Sequence, residues 1–454
     1  VAFFSQASYG FRNRYILSGT LNYEGSNQLG RSRKARWLPT WNISGRWNVT
    51  NEHFLPTTHA LSNLSFRLSY GLIAGLNNIG NALPIMISTI PPRFRNQDNE
   101  RLIRILSLQN SDLTWEKVYE TNFGTDIGFL SNAISLSVDL YQKNSKDLLD
   151  IVRTSGMGGE LNKYANDASM TTRGVELVLD TRNFKTEDFT WSTSVNFAYF
   201  NQEITSLANA SNSVFNLVRE TGGNVLGNPR NTLYSYDFAG LNSQGMPLLN
   251  LKEGSRDYKD IDFQDRDNIL SYLKKEGAVD PNITGGLSNT FRYKNWELNF
   301  LITMQAGNKI RKAPLYKGAG YDDLSVFPRE FKNRWVAPGD EALTQIPGIV
   351  SQRTLNEENK AYISRAYSAY NHSTARVVDG SFVRMKSISL SYTFDKEVLE
   401  NLNIGNLTLR LQASNPFLIY AHKDLNGQDP EFFRSGGVAY PITPQYTFTI
   451  NLGI

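Results

Sequence analysis

The chain has 454 residues, 40% of them hydrophobic and 12% aromatic, with a formal net charge of +4 at pH 7 and no cysteine. So small a charge over this length weighs against a nucleic-acid binder, which concentrates positive charge on one phosphate-contacting surface. The lack of cysteine excludes disulfides, thiolate metal sites and cysteine nucleophiles, and it is compatible with passage through an oxidising periplasm.

The opening residues, Val1 to Tyr9, show neither a basic start nor a small-residue cleavage site. The chain is therefore expected to begin inside a strand, as a fragment or as the second part of a split protein. Apolar residues then recur at every second position, the pattern of a strand with one greasy and one polar face. Tyr15, Leu17, Gly19, Leu21 and Tyr23 form one row, and Trp37, Trp41, Ile43, Trp47 and Val49 the next. Leu64, Phe66, Leu68 and Tyr70 follow, then Tyr119, Phe123, Ile127 and Phe129. A short turn at Leu130-Ser-Asn132 leads into Ile134, Leu136, Val138 and Leu140. Further rows are Val175, Leu177 and Leu179, then Trp191, Val195, Phe197 and Tyr199. Leu287, Phe291 and Tyr293 turn at Lys294-Asn295 into Trp296, Leu298, Phe300, Ile302 and Met304. Ile388, Leu390, Tyr392 and Phe394 precede Leu407, Leu409, Leu411 and Ala413, and Tyr446, Phe448, Ile450, Leu452 and Ile454 close the chain. With the opening segment this predicts about thirteen strands.

Strand length identifies the oil that these faces meet. Soluble sandwiches use strands of about 5 to 6 residues, whereas a tilted bilayer-spanning strand needs about 9 to 11. Trp37 and Trp47 share a face ten positions apart, which at ~3.3 Å per residue and a tilt of ~40° separates them by roughly 25 Å along the membrane normal. That is the height of an outer-membrane apolar band, so Trp37, Trp47, Tyr446 and Phe448 are expected in its lipid-facing aromatic girdles. No apolar stretch reaches the roughly 18 residues of a membrane-spanning helix; the longest, 82–90, contains Pro84. The long connections, 25–36, 75–114, 147–170, 203–284, 307–380 and 421–444, alternate with short turns and fall on one side, which places them outside the cell. The expected fold is an all-β, transmembrane antiparallel β-barrel with long extracellular loops. Arg384 and Lys386 share parity with Ile388 and Leu390, so either they lie above the membrane or a bulge breaks the alternation.

The segment Asn110-Ser-Asp-Leu-Thr-Trp-Glu-Lys-Val-Tyr-Glu-Thr-Asn-Phe-Gly-Thr-Asp-Ile-Gly-Phe129 resembles the "NPDLKWE…TNIGLDFGF" signature of the SusC/RagA-like TonB-linked (TonB-dependent) outer-membrane transporters. Ser137-Val-Asp-Leu-Tyr-Gln-Lys-Asn-Ser-Lys-Asp-Leu-Leu149 is similar to "VDYYNKKTKDLL", Arg173-Gly-Val-Glu-Leu177 to "KGVEL" and Leu233-Tyr-Ser-Tyr-Asp-Phe-Ala-Gly240 to "FYGYKYAG". Gly285-Gly-Leu-Ser-Asn-Thr-Phe291 resembles "GGFSNTF", Asp379-Gly-Ser-Phe-Val-Arg-Met-Lys386 resembles "DGSFLRLK", and Asp429-Pro-Glu431 also fits. The resemblance spans nearly the whole chain and implies a barrel of about 22 strands. The chain would supply the C-terminal thirteen or so over residues 1–454, while the N-terminal plug, the TonB box and the first strands would lie elsewhere. It also implies a SusD-like surface lipoprotein lid, energy from the TonB complex, and import of oligosaccharides or oligopeptides. An open sheet in hydrocarbon leaves backbone groups unpaired at several kcal/mol each, so the upstream plug and barrel segment are expected on the same polypeptide or on a partner chain.

Other constellations are weaker. Asp260, Asp262 and Gln264 sit where the family often has a calcium-like loop, but Gln264 is neutral and Asp265 replaces the required glycine, so a solvated acidic loop is the favoured reading over calcium binding. The four histidines, His53, His59, His372 and His422, have no HExxH spacing, and no G-x-S-x-G elbow occurs, so no enzymatic activity is expected. Arg31, Arg33, Lys34 and Arg36 either bind lipopolysaccharide phosphates or form a solvated loop. Tyr316, Tyr321, Trp335, Tyr362, Tyr367 and Tyr370 populate the longest loop, where aromatics either stack on cargo or, the favoured reading for each, pack the loop. The expected function is energy-coupled import of a bulky oligomeric nutrient across the bacterial outer membrane. The alternatives are an adhesin or secretion-complex barrel without transport and a soluble carbohydrate-binding β protein.

Overall fold

A segment that alternates apolar and polar residues satisfies both faces only as an extended strand, and its backbone only when a neighbour lies alongside. The computed structural model describes residues 1–26, 29, 36–55, 60–75, 85–90, 101–107, 110, 113–153, 162–207, 214–251, 254–262, 268–316, 327–351, 353, 360–400, 404–431 and 443–453. The strands β1 (Ala2–Phe11), β2 (Tyr15–Gly25), β3 (Trp37–Asn48) and β4 (Leu61–Gly75) are followed by a separate hairpin of β5 (Ile85–Thr89) and β6 (Leu102–Ser107). Then come β7 (Glu116–Phe129), β8 (Ile134–Arg153), β9 (Asn162–Lys185) and β10 (Phe189–Leu207). A short helix α1 (Val214–Leu217) and the small strands β11 (Thr232–Tyr236), β12 (Phe238–Leu241), β13 (Pro247–Leu249) and β14 (Leu273–Ala278) occupy the next connection. The strands β15 (Ile283–Tyr293) and β16 (Trp296–Ala306) precede a second elaborate connection with β17 (Lys309–Arg311), α2 (Lys360–Asn371) and β18 (Val377–Asp379). Finally β19 (Phe382–Thr393), α3 (Lys396–Glu400), β20 (Asn406–Ala421) and β21 (Gln445–Gly453) complete the described chain. Thirteen of these strands form one antiparallel sheet in the order β1-β2-β3-β4-β7-β8-β9-β10-β15-β16-β19-β20-β21, in line with the number and sequence of rows expected.

The chain divides into two units. The first is Val1–Asp180 with Phe200–Ser211 and Val225–Asn228; the second is Thr181–Tyr199 with Asn212–Asn224 and Pro229–Ile454. In the first, Tyr15 lies opposite Trp47 and Leu17 opposite Gly45, Trp47 opposite Phe66 and Ile43 opposite Tyr70, Leu68 opposite Phe123, and Phe123 opposite Leu140. Leu17, Ile43 and Leu68 are 59%, 56% and 56% exposed, values that a core beneath a second protein layer would not allow and that a lipid-facing surface requires. Trp37 stacks 4.9 Å from Tyr23. Near the other end of β3, Trp47 lies 6.5 Å from Tyr15 and 6.0 Å from Phe66. In the second unit one row crosses six strands, from Trp191 to Phe291, Leu298, Leu390, Leu411 and Phe448. Tyr446 and Phe448 are 78% and 58% exposed on this face.

Two expectations need correction, and a third, left between two readings, resolves as the bulge. Val49 does not extend the Trp47 row; it begins a 3-10 turn at Val49–Asn51 and is buried, because the strand ends at Asn48. The connection expected at 147–170 is mostly strand, since β8 and β9 run for 20 and 24 residues. At ~3.3 Å per residue both exceed the ~25 Å apolar band. The apolar row of β8 stops at Leu140 where the strand leaves hydrocarbon, yet its backbone still pairs, so alternation marks the membrane and not the end of the strand. Finally, Arg384 is not simply above the membrane. Register shifts between Leu301 and Ile302 on the β16 side and between Met385 and Ser387 on the β20 side place a bulge at Lys386. Met385 thereby falls opposite Ile302 on the apolar face, and Arg384 turns to the polar one.

Ile43 sits between Trp37 and Trp47 of β3, so Ile43→Arg is expected to cost about 2 to 4 kcal/mol of barrel stability, the penalty for arginine near the bilayer midplane. Ser44→Arg, on the polar face, should be tolerated. Heat-modifiable gel mobility of the full-length receptor in outer membranes checks the contrast; equal folded fractions would refute the assignment of faces.

Candidate functional site: the polar face and the loop vestibule

The polar face of the first unit carries charges at positions that alternate with the lipid-facing row. Arg67 pairs at 3.0 Å with both Asp126 and Asp139, and Arg46 lies 3.3 Å from Asp126. Ser65 and Ser137 donate to Asp126 at 3.1 and 2.9 Å. Gly124 makes room for this cluster, because a Cβ there would fall 2.5 Å from Asp139 Oδ1 and 2.8 Å from Arg67 Cζ. Two guanidinium groups and two carboxylates thus neutralise one another and tie β3, β4, β7 and β8 together.

At the long-loop end of these strands Leu29, Leu113 and Trp115 bury against Leu38, Ala74 and Leu149. The Trp115 indole donates to the Arg36 carbonyl at 3.1 Å. Asn166 clamps the strand entry, accepting from the Thr114 amide at 2.8 Å and donating to the Thr114 and Asp147 carbonyls at 2.9 and 2.7 Å. Glu116 accepts from the Leu149 amide at 2.8 Å. The block that begins at Asn110 is therefore a mooring for the mouth of the wall.

In the second unit the two long connections build a core of their own. Ile363, Tyr367 and Tyr370 recur at helical spacing on α2 and bury against Met246, Leu315 and Tyr316. Tyr316 and Tyr367 donate to the carbonyls of Pro347 and Gly348, the latter at 2.6 Å. Burial pushes the Tyr316 and Tyr367 hydroxyls far above the ordinary phenol range and that of Tyr370 to about 12. These three are 6%, 1% and 1% exposed, so in this structure they pack the loop and present no surface to cargo. Trp335 and Tyr362 are half-buried. The Trp335 indole donates to Glu341 at 3.0 Å and the Tyr362 hydroxyl to Asp257 at 2.7 Å. Tyr321 lies outside the described residues, as do Arg31, Arg33 and Lys34. Asp260 is exposed and accepts from the Ser255 hydroxyl; Asp262 is exposed, and Gln264 lies outside the described residues. Among the described residues no three metal-ligating side chains converge.

Buried arginines brace these connections. Arg311, 2% exposed, donates to the Tyr234 carbonyl at 2.7 Å, the Ser235 hydroxyl at 3.0 Å and the Ser373 carbonyl at 3.2 Å. Burial lowers its pKa to about 10. Arg376 donates to Glu330 at 2.6 Å and to the Ala313 carbonyl at 2.7 Å, and Lys312 reaches the same carboxylate at 2.9 Å. The bulge at Lys386 aims Arg384 at Asp429 and, at 3.2 Å, at Glu431. Two family-like blocks far apart in sequence, Asp379–Lys386 and Asp429–Glu431, thus meet in one buried ion pair. Parity and the Asp379–Lys386 block mark Arg384, whereas Arg376 and Glu330 sit in 3-10 turns, Thr374–Arg376 and Arg329–Asn333, where no strand alternation announces a charge.

Burial disfavours ionisation of Glu330, but Arg376 and Lys312 outweigh it and hold the carboxyl below its ordinary 4.5. A depressed carboxyl stabilises fully above the unfolded value and loses that contribution as pH falls through the folded one. The protection of α2 amides from hydrogen exchange, after correction for the intrinsic pH dependence of exchange, should therefore hold from neutral pH down to about 4.5 and fall only below it. Glu330→Gln should lower that protection at pH 7 by about 3 kcal/mol of lost local stability, since Arg376 is left buried without its counter-charge. Asp429→Asn should likewise expose the 422–431 segment to protease, whereas Asp424→Asn at the exposed Asp424 should not.

Residues 1–303 match the family model described as TonB dependent receptor-like, beta-barrel. Over 96% of its length the chain is 25% identical to TonB-dependent receptor P39 of Formosa agariphila, covering 44% of that protein. Over its whole length it is 26% identical to TonB-dependent receptor SusC of Bacteroides thetaiotaomicron, covering 43% of it. The chain thus spans less than half the length of these relatives, both named as TonB-dependent receptors. A structure of the RagAB peptide transporter superposes with a TM-score of 0.80 at 24% identity, over 99% of this chain and 47% of that one, and so shares the fold. With an exposed apolar face of membrane-spanning strands and a self-neutralised polar face opposite, the chain belongs to the TonB-dependent receptor β-barrel family of the bacterial outer membrane.

Proposed function

We propose that this chain is the C-terminal wall and extracellular vestibule of a transporter that imports bulky oligomeric nutrients, oligosaccharides or oligopeptides, using energy delivered by the TonB complex. The observation that carries the proposal is the sheet itself, with lipid-exposed rows on one face and charges satisfied on the other, a rigid frame for a polar passage. The plug and remaining strands come from an upstream segment on the same or another chain, and a SusD-like lipoprotein closes the vestibule from outside. The relatives named TonB-dependent receptors and the RagAB peptide transporter support this reading. Trp335 and Tyr362, which keep exposed surface beside the loop core, are the aromatics through which the loops would meet cargo. Outer-membrane lipid, lipopolysaccharide included, surrounds the aromatic bands.

The test is uptake by cells of the source bacterium. With the complete receptor gene present, cells should accumulate labelled oligosaccharides or peptides from mixed digests, and either gene deletion or a protonophore should abolish accumulation. Unchanged uptake of both classes after deletion, with loss of surface attachment or of a secreted protein, would favour the adhesin or secretion barrel.

A further inference from the structure

On the polar face of the first unit, at its long-loop end, a groove of about 460 Å³ is lined by Asn22, Glu24, Asn42, Gly71, Glu120 and Asn122. All six lie on the polar parity of β2, β3, β4 and β7, and Glu24 is one residue from the end of β2. Gly71 keeps the floor open, since a Cβ there would stand 2.7 Å from the Trp41 carbonyl oxygen and 2.9 Å from Asn42 Nδ2. We infer that this groove is a subsite for a neutral, hydroxyl-rich segment of cargo, a pyranose oligosaccharide; the inference rests on the import reading and narrows its substrate class.

The chemistry of the lining selects this ligand. The Asn42 and Asn122 amides each offer a donor and an acceptor, Asn22 already donates to Glu24, and the two carboxylates only accept. A run of sugar hydroxyls, each able to donate and accept, matches that mixture. An anionic chain fits less well, because Glu24 and Glu120 repel it and the described cations nearest the groove are already engaged. Lys143 already stands 3.7 Å from Glu120, and deeper on the same face Arg67 is committed to Asp126 and Asp139. An extended peptide needs an unpaired strand edge or side-chain pockets. Here β2, β3, β4 and β7 are hydrogen-bonded in consecutive pairs. Exposed apolar lining comes chiefly from Ile73, 55% exposed, a patch suited to the C–H face of one sugar ring.

The whole receptor, purified in detergent, would be incubated with three pools: oligomers from hydrolysed starch, laminarin and xylan, alginate oligomers, and tryptic casein peptides. Retained species are identified by mass spectrometry. Wild type should enrich the neutral sugars, and Asn42→Ala/Asn122→Ala should lower their retention about tenfold, as the loss of two or more hydrogen bonds implies. Thr20→Trp, which fills the groove from an exposed rim position, should do the same without touching the buried structure; heat-modifiable mobility verifies folding of each variant. Neutral sugars retained equally by wild type and both variants would overturn the groove while leaving import of glycans standing. Enrichment of alginate or peptides in their place would overturn the assigned ligand class. A receptor that retains no oligomer from any pool would count against the import reading itself.

Discussion

Backbone amides and carbonyls that enter hydrocarbon must find partners within the protein, and the rest of this structure follows from that demand. An unpaired group in lipid costs several kcal/mol, so a strand in the membrane is stable only when a neighbour takes up its hydrogen bonds. Pairing then fixes register, and register fixes which side chains meet lipid, because a slip by one residue would turn every lipid-facing leucine inward. The row from Trp191 to Phe448 keeps its face over six strands for this reason. Where parity would bring Arg384 into lipid, the chain inserts Lys386 as an unpaired extra residue. One lost ladder position is far cheaper than a guanidinium in hydrocarbon.

The same accounting explains the polar face and the loops. Arg46, Arg67, Asp126 and Asp139 could each be hydrated singly, yet they are arranged as a closed set with two serine hydroxyls filling remaining acceptor positions. Such a set stiffens four strands without leaving a charge that cargo could capture. Above the membrane the long connections have no lipid to receive apolar side chains and must bury them among themselves. Tyr316, Tyr367 and Tyr370 are spent on that core; Arg311 ties β17 to β11 through the Tyr234 carbonyl, and Arg376 binds Glu330 and the Ala313 carbonyl.

Alternation made the sheet legible in the sequence because lipid acts on each residue separately: a side chain either faces oil or it does not, and a period of two records the answer. The membrane rows and the turns at Leu130-Ser-Asn132 and Lys294-Asn295 were readable on that basis. Once β8 and β9 rise into water the pressure lapses, and only pairing, which side-chain chemistry barely records, carries the strands on to Arg153 and from Asn162. The loop core was partly readable, since Ile363, Tyr367 and Tyr370 stand at helical spacing, a stripe that points to packing and not to stacking on cargo. The ion pair of Arg384 with Asp429 was not readable, because 45 positions separate the partners and only the bulge brings them together.

That distribution bears on what the family-like blocks mean. The block opening at Asn110 supplies Leu113, Trp115 and Glu116, which lock the mouth of the first unit. The block at Asp379 supplies Arg384, and the one at Asp429 supplies the carboxylate that receives it. In this structure these residues moor the long connections to the wall, a mechanical part that does not depend on any ligand. Asn22, Glu24 and Asn42 fall outside every such block, although Glu120 and Asn122 lie inside one. The proposed groove thus joins residues inside and outside these blocks, and substitutions confined to β2 and β3 would alter its lining with the pairing of β4 to β7 left intact.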